Sequence, residues 1–183
     1  TSREEFLLLI SFLKEEELGI YVTRSGSGAA WETPLPLVAE NEGLSQQSLP
    51  YHAAHQGRDY IVFQAKRPTT DFQLFLKTSY NGGTSWNRAT GLTDFPEGTG
   101  SEAVPADRIS NQRPFLASYA GTLHLAWERN TIGRSPQVYI MTLSGSGGRL
   151  TEPEKISRGN ANRYNPQILR YRDRLYYLWF DDS

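Results

Sequence analysis

The sequence predicts an all-β chain, a β-propeller segment of about three four-stranded antiparallel blades. Three observations predict it. A motif beginning at a proline occurs three times, and a second motif carrying glycine and tryptophan interleaves with it. The stretches between turns alternate apolar and polar residues with the two-residue period of a strand. The chain has 183 residues, a one-domain length, and its 38% hydrophobic content with 16 glycines is that of a folded protein rather than a disordered one.

At the N-terminus the residues admit two readings. Ser2-Arg3-Glu4-Glu5 fits a helix capping box, and Phe6, Leu9, Ile10 and Leu13 have helical spacing. The other reading makes Phe6–Leu13 a strand paired with Ile20–Arg24, which would otherwise lack its inner neighbour. From residue 50 onward the repeat sets the elements. Pro50-Tyr51-His52-Ala53-Ala54-His55-Gln56-Gly57, Pro114–Gly121 and Pro166–Asp173 align without a gap, 64 and 52 residues apart. Each continues into a β-rich run, with Tyr60, His124 and Tyr176 ten residues past the proline and Phe63, Trp127 and Trp179 thirteen past it. The proline opens a first strand, where its missing N–H lies at the end of the ladder. A tight turn at Gly57, Gly121 or Asp173 leads to the second strand, in which Leu123, Leu125 and Trp127 point one way, as do Leu175, Tyr177 and Trp179. Phe72–Thr78 and Gln137–Leu143 are third strands, and a glycine-rich turn leads to a short fourth.

The second motif joins Ile20–Trp31, Phe75–Trp86 and Tyr139–Leu150, with Gly28, Gly83 and Gly147 in register. All four tryptophans therefore fall at repeat-equivalent positions. The organisation expected is the end of one blade and its following loop over 1–49, blades over 50–113 and 114–165, and the start of another over 166–183. Because one blade cannot bury both faces alone, the remaining blades are expected in the same chain or in a second copy.

Composition removes several function classes. Nineteen Lys and Arg against twenty Asp and Glu give a net charge of -1, unlike a nucleic-acid or polybasic membrane-binding surface. Cysteine is absent, which excludes disulfides, thiolate metal sites and a Cys nucleophile. The run Phe6–Leu13 is far below the ~18 apolar residues of a membrane span, so no membrane insertion is expected. Its flank, Arg3-Glu4-Glu5, is not that of a secretory signal. No metal or cofactor is expected. His52 and His55 sit on opposite strand faces and His124 takes a packing slot, while Ser144–Gly148 is glycine-rich without opening a helix.

Ser79-Tyr80-Asn81-Gly82-Gly83-Thr84-Ser85-Trp86 resembles the Asp box, Ser-x-Asp-x-Gly-x-Thr-Trp, of the BNR-repeat propellers typified by sialidases. Asn81 stands where Asp is usual and Ser85 where Thr is usual. Gly28 and Trp31 keep a worn copy, with Arg24 and Gly26 in place of Ser and Asp. The resemblance implies a structural role for the box on the turn between third and fourth strands, with Trp packing between sheets. It also implies an extracytoplasmic setting and an acidic-sugar ligand.

Long loops on a rigid scaffold carry binding groups. Gln47, Gln112, Arg113, Arg163, Tyr164 and Asn165 are expected just before the inner strands, with Arg67, Glu128, Arg129, Asp181 and Asp182 closing the second strands on the same face. From these the candidate ligand-binding set is Gln112, Arg113, Glu128, Arg129, Tyr164, Asn165 and Asp181, since a guanidinium matches a carboxylate bidentately. Arg113, Glu128 and Asp181 are also the candidates for catalysis. A sialidase needs an arginine triad, a Tyr–Glu nucleophile pair and an Asp acid/base; Arg113-Pro114 matches the first arginine's motif loosely, and no Tyr–Glu pair can be assigned. The function expected is recognition of a glycan or a partner protein without catalysis. The alternative is part of a sialidase-like glycoside hydrolase acting on acidic sugars.

Overall fold

A computed structural model describes residues 6–14, 17–93 and 108–182. Within them four antiparallel sheets follow one another along the chain. Sheet 1 holds β1 (Phe6–Lys14), β2 (Glu17–Ser25) and β3 (Leu35–Pro36). Sheet 2 holds β4 (Ser45–His55), β5 (Arg58–Lys66), β6 (Gln73–Ser79) and β7 (Thr90–Gly91). Sheet 3 holds β8 (Ile109–Tyr119), β9 (Thr122–Thr131), β10 (Gln137–Leu143) and β11 (Glu154–Lys155); sheet 4 pairs β12 (Arg163–Tyr171) with β13 (Arg174–Asp181). Strands adjacent in sequence are adjacent in each sheet, and β4 touches β8 as β8 touches β12. Sheets 2, 3 and 4 thus meet along their first strands. Two of the hairpins turn on Gln56-Gly57 (φ 51° and 73°) and Ala120-Gly121 (φ 47° and 81°), two left-handed residues each, the turn whose twist suits a β-hairpin. At the N-terminus β1 pairs with β2 from Phe6–Ser25 to Lys14–Glu17, so the strand reading holds over the described part of 2–18.

Alternation gives each sheet one face toward its predecessor and one toward its successor. Tyr60, Val62, Leu74 and Leu76 of sheet 2 pack on Leu116, Leu123, Leu125, Trp127 and Met141 of sheet 3. Ile61, Phe63, Ala65 and Phe75 turn the other way, onto Ile20 and onto Leu37 and Val38 just past β3. Trp127 is fully buried, and an indole covering about 150–250 Å² at ~25 cal/mol per Å² contributes about 4–6 kcal/mol at most. Polar groups close the seams. His55 Nδ1 lies 2.7 Å from Ser118 Oγ, the Tyr60 hydroxyl donates to the Gly145 carbonyl at 2.5 Å, and the Tyr119 hydroxyl donates to that of Asp173 at 2.5 Å. His124 Nδ1 lies 3.0 Å from the Tyr177 hydroxyl. Burial pushes the imidazole down and the phenol up, so both stay neutral there. The turn after β10 is tucked against sheet 2. A Cβ on Gly147 would lie 2.8 Å from Leu76 Cδ2, and one on Gly145 would lie 2.6 Å from Gln56 Oε1.

Two expectations are corrected. The prolines do not open the first strands. Pro50, Pro114 and Pro166 lie inside β4, β8 and β12, each at a bulge where the pairing slips by one residue. The register steps from Ser48–Gln64 to Tyr51–Val62, from Gln112–Glu128 to Phe115–Ala126, and from Tyr164–Phe180 to Gln167–Leu178. A bulge leaves a position unpaired, so an imide nitrogen costs the ladder nothing there. The residue before each proline is left-handed: Leu49 (φ 50°), Arg113 (φ 51°) and Asn165 (φ 53°). A non-glycine residue there is strained by roughly 1–3 kcal/mol, so other contacts must hold it.

The gap-free alignment of the glycine motif also shifts. Tyr21 opposes Pro36 across β2–β3 as Phe75 opposes Gly91 across β6–β7, so Tyr21, not Ile20, matches Phe75. Ser25 then takes the place of Ser79. Its Oγ accepts the Gly28 N–H at 2.8 Å, as Ser79 Oγ accepts that of Gly83 at 2.8 Å. The first turn is one residue shorter. In the third turn Ser144 Oγ accepts the Gly148 N–H at 3.1 Å. Asn81 braces the Ser79–Trp86 turn, its Oδ1 accepting from Ser85 N and its Nδ2 donating to Ser85 Oγ, both at 3.0 Å. Trp86 is half-buried against the cluster around Phe63, whereas Trp31 is 43% exposed and does not fill the space between sheets.

Between β3 and β4, the short 3-10 turn Glu40–Glu42 anchors the link by a buried ion pair. Lys77 Nζ donates to Glu42 Oε1 at 2.5 Å and to the Leu37 carbonyl at 2.7 Å, while Glu42 accepts from Ala39 N at 3.1 Å and Ala89 N at 2.6 Å. Burial alone raises the Glu42 pKa, but these hydrogen bonds and the ammonium charge outweigh it and hold the carboxyl below its ordinary value. Its contribution is therefore complete above the ordinary glutamate range and lost as pH falls through the lowered value. Lys77→Met should lower unfolding stability at neutral pH by about 3–5 kcal/mol, because it strands a buried carboxylate. Glu42→Gln should remove that part of the acid-side loss, read by urea denaturation across pH.

Candidate functional site

The three bulges converge. Leu49-Pro50-Tyr51, Arg113-Pro114-Phe115 and Asn165-Pro166-Gln167, with Phe180 of β13, line a cavity of about 280 Å³ where the first strands meet. Tyr51 and Phe115 form an aromatic pair there, ring centroids 4.0 Å apart. Burial raises the Tyr51 phenol further above its ordinary value, so it is a neutral donor. Asn165 and Gln167 add amide groups, and Arg113 adds a guanidinium 43% exposed at its side chain.

Two of the three strained residues are held from the preceding sheet. Gln64 Oε1 accepts the Arg113 N–H at 3.0 Å, and Glu128 Oε2 accepts the Asn165 N–H at 3.4 Å. Gln64 and Glu128 each stand fourteen residues past the proline of their own repeat, so the two clasps are equivalent. Glu128 does more. Its Oε2 also receives Arg113 Nη1 at 2.8 Å, and its Oε1 receives Asn130 Nδ2 at 2.9 Å. Glu128 is 3% exposed, and a buried carboxylate is tolerable only with such donors. It fixes the guanidinium from behind and leaves the rest of that group turned to the cavity.

The candidate residues separate accordingly. Arg113 and Asn165 line the cavity, within strands rather than ahead of them, and Glu128 lies behind both. Gln112 and Tyr164 flank the bulges; Gln112 donates to Ser110 Oγ at 2.6 Å, and Tyr164 stacks on Phe180 at 6.3 Å. Arg129 and Asp181 are not among the cavity's lining residues. Arg129 points to the opposite face of β9, its Nε donating to Asn111 Oδ1 at 3.0 Å and its guanidinium 4.0 Å from the Tyr139 ring centroid. Asp181 pairs with Arg163, Nε to Oδ2 at 3.0 Å. Sequence reasoning missed Tyr51, Phe115, Gln167, Phe180 and Gln64. The signal was there: Tyr51, Phe115 and Gln167 each follow a repeat proline.

No family model matches the chain. No curated protein matches it significantly either. Solved structures do match. A xylan β-1,4-xylosidase from Bacillus halodurans C-125 superposes with a TM-score of 0.65 at 14% identity, covering 100% of this chain and 36% of its own. A Hadza microbial sialidase gives 0.64 at 13% identity, over 90% of this chain and 37% of its own. An α-L-arabinanase from Penicillium chrysogenum gives 0.62 at 12%, over 88% and 49%. This chain therefore spans between about a third and a half of the length of these structures. At such identities the likeness establishes the fold: the sheets are blades of a β-propeller.

The clasp can be tested without any ligand. Glu128→Ala should destabilise the chain by about 1–3 kcal/mol, leaving the Asn165 N–H and Arg113 without their acceptor. Glu128→Gln, which keeps an oxygen for the Asn165 N–H, should lose less. Thermal melts of the two variants side by side give the comparison.

Proposed function

We propose that this segment recognises a glycan carrying a carboxylate, bound in the axial cavity, and does not cleave it. One observation carries the reading. The cavity offers a preoriented guanidinium, side-chain amides and an aromatic pair, yet no Asp or Glu lines it among the described residues. Glu128, bonded to two of the lining residues, already accepts hydrogen bonds at both oxygens. Glycoside cleavage generally needs two carboxyl groups flanking the bond, one to protonate the leaving oxygen. Recognition needs only what the cavity offers. A guanidinium held from behind meets a carboxylate with little loss of side-chain freedom, and sugar faces pack on aromatic rings.

The Ser79–Trp86 turn supports kinship with the Asp-box propellers, since Ser79 and Asn81 brace the turn backbone. In that reading Ser79, Asn81, Gly83, Ser85 and Trp86 serve the scaffold. A second reading, part of a glycoside hydrolase, is favoured by the solved relatives, which are named as a xylosidase, a sialidase and an arabinanase. In it the acid and nucleophile would come from residues other than Glu128.

The test is calorimetric titration with N-acetylneuraminic acid and glucuronic acid beside neutral galactose, together with an assay of aryl sialoside hydrolysis. Binding of an acidic sugar, reduced at least tenfold by Arg113→Ala and less by Phe115→Ala, is the expected outcome. Turnover of the aryl sialoside that disappears in Arg113→Ala would overturn the non-catalytic part. Capture of a protein partner with no sugar bound would overturn the glycan.

A further inference from the structure

The clasp that holds Arg113 and Asn165 is missing at the first bulge. Ser11 pairs with Ile20 as Gln64 pairs with Leu74 and Glu128 with Val138, so Ser11 stands in sheet 1 where the clasp residues stand in sheets 2 and 3. The partners Ile20, Leu74 and Val138 are buried alike, whereas Ser11 is exposed. A serine hydroxyl ends at the γ position, short of the ε oxygens with which Gln64 and Glu128 reach the Arg113 and Asn165 amides. Leu49 has the same left-handed backbone as those two residues, φ 50° against 51° and 53°. The slip from Ser48–Gln64 to Tyr51–Val62 leaves Leu49 and Pro50 outside the pairing. Among the described residues no side chain accepts the Leu49 N–H. Leu49 is 48% exposed and lines the axial cavity together with Arg113.

We infer that the carboxylate of the bound sugar takes the place of the missing clasp, accepting the Leu49 N–H while Arg113 pairs with the same group. The inference rests on the axial reading proposed above and adds to it a main-chain binding group. The protein already makes this arrangement once with a carboxylate of its own. Glu128 Oε2 receives the Asn165 N–H at 3.4 Å and Arg113 Nη1 at 2.8 Å, a bulge amide and a guanidinium on one oxygen. A free carboxylate is the same acceptor, and hydrogen bonds to an ionised acceptor are roughly twice as strong as those to a neutral one. The donor belongs to the backbone of a paired strand, so little freedom is lost in presenting it. The side chain of Leu49 has no part in this; only its amide does.

The experiment is an amide NMR titration of the chain with N-acetylneuraminic acid, with galactose as the neutral control, on wild type, Arg113→Ala and Ser11→Gln. In wild type the Leu49 amide proton should move downfield and saturate with the acidic sugar, further than the Arg113 and Asn165 amides, which already have acceptors. Galactose should leave it in place. Ser11→Gln supplies the absent acceptor at an exposed position. It should move the Leu49 amide before any sugar is added and weaken binding of the acid about tenfold, the worth of one hydrogen bond to a charged group. Binding of the acid that Arg113→Ala abolishes, with the Leu49 amide moving no further than the other two, overturns this inference and leaves the axial reading standing. So does full affinity in a Ser11→Gln variant whose Leu49 amide has moved. No binding of the acid by wild type overturns both.

Discussion

The arrangement of this molecule depends on one small interaction, the capture of a bulge N–H by a side chain of the preceding blade. A bulge before proline forces Arg113 and Asn165 into a conformation that side chains resist, and it frees an amide from the ladder. Gln64 and Glu128 accept those amides. Each clasp therefore compensates strain, satisfies a donor and fixes how far one blade's inner strand lies from the next. Without it the bulges at Arg113 and Asn165 would lose what compensates their strain, and two walls of the cavity would lose their definition.

The same device explains why polar and aromatic side chains gather where the inner strands meet. A regular strand would send alternate side chains to its two faces. A left-handed residue breaks that alternation and re-aims its neighbours, so three consecutive residues of each inner strand reach one cavity. Where the acceptor is neutral, as at Gln64, the clasp is only structural. Where it is Glu128, the same oxygen that holds the next blade also orients a guanidinium. Scaffold and site are then coupled, and a substitution at Glu128 cannot affect one without the other.

Much of this was legible in the sequence because it repeats. Apolar alternation in β9 and β13, the tight turns at Gly57 and Gly121, and the shared tryptophan slots all follow from residue identity at fixed spacing. What escaped has a common cause. Left-handed backbone is marked in a sequence by glycine, yet here it falls on Leu49, Arg113 and Asn165, three residues with nothing chemical in common. Proline then looked like a strand's beginning when it occupied the gap in one. The first glycine turn hid a deletion because Gly28 and Trp31 still matched Gly83 and Trp86 while the strand behind them had moved by one. Glu128 was legible as important but not as buried, since solvent exposure depends on the neighbouring blade.

The turn after β10 keeps its glycines but is braced by Ser144, whose Oγ lies 2.8 Å from Ser146 Oγ and accepts the Gly148 N–H at 3.1 Å, in place of the Asn81 and Ser85 bonds of the turn after β6. Hydrogen bonds within a turn can be exchanged for others; clearance is recovered only where the neighbour can move. A Cβ at Gly147 would meet Leu76 Cδ2 at 2.8 Å, on a side chain buried between the blades, whereas one at Gly145 would meet the flexible end of Gln56, which can swing aside. Gly147, with its positive φ, thus acts as a feeler gauge between the two blades: a side chain there would be strained and would have to displace Leu76 from its packed place.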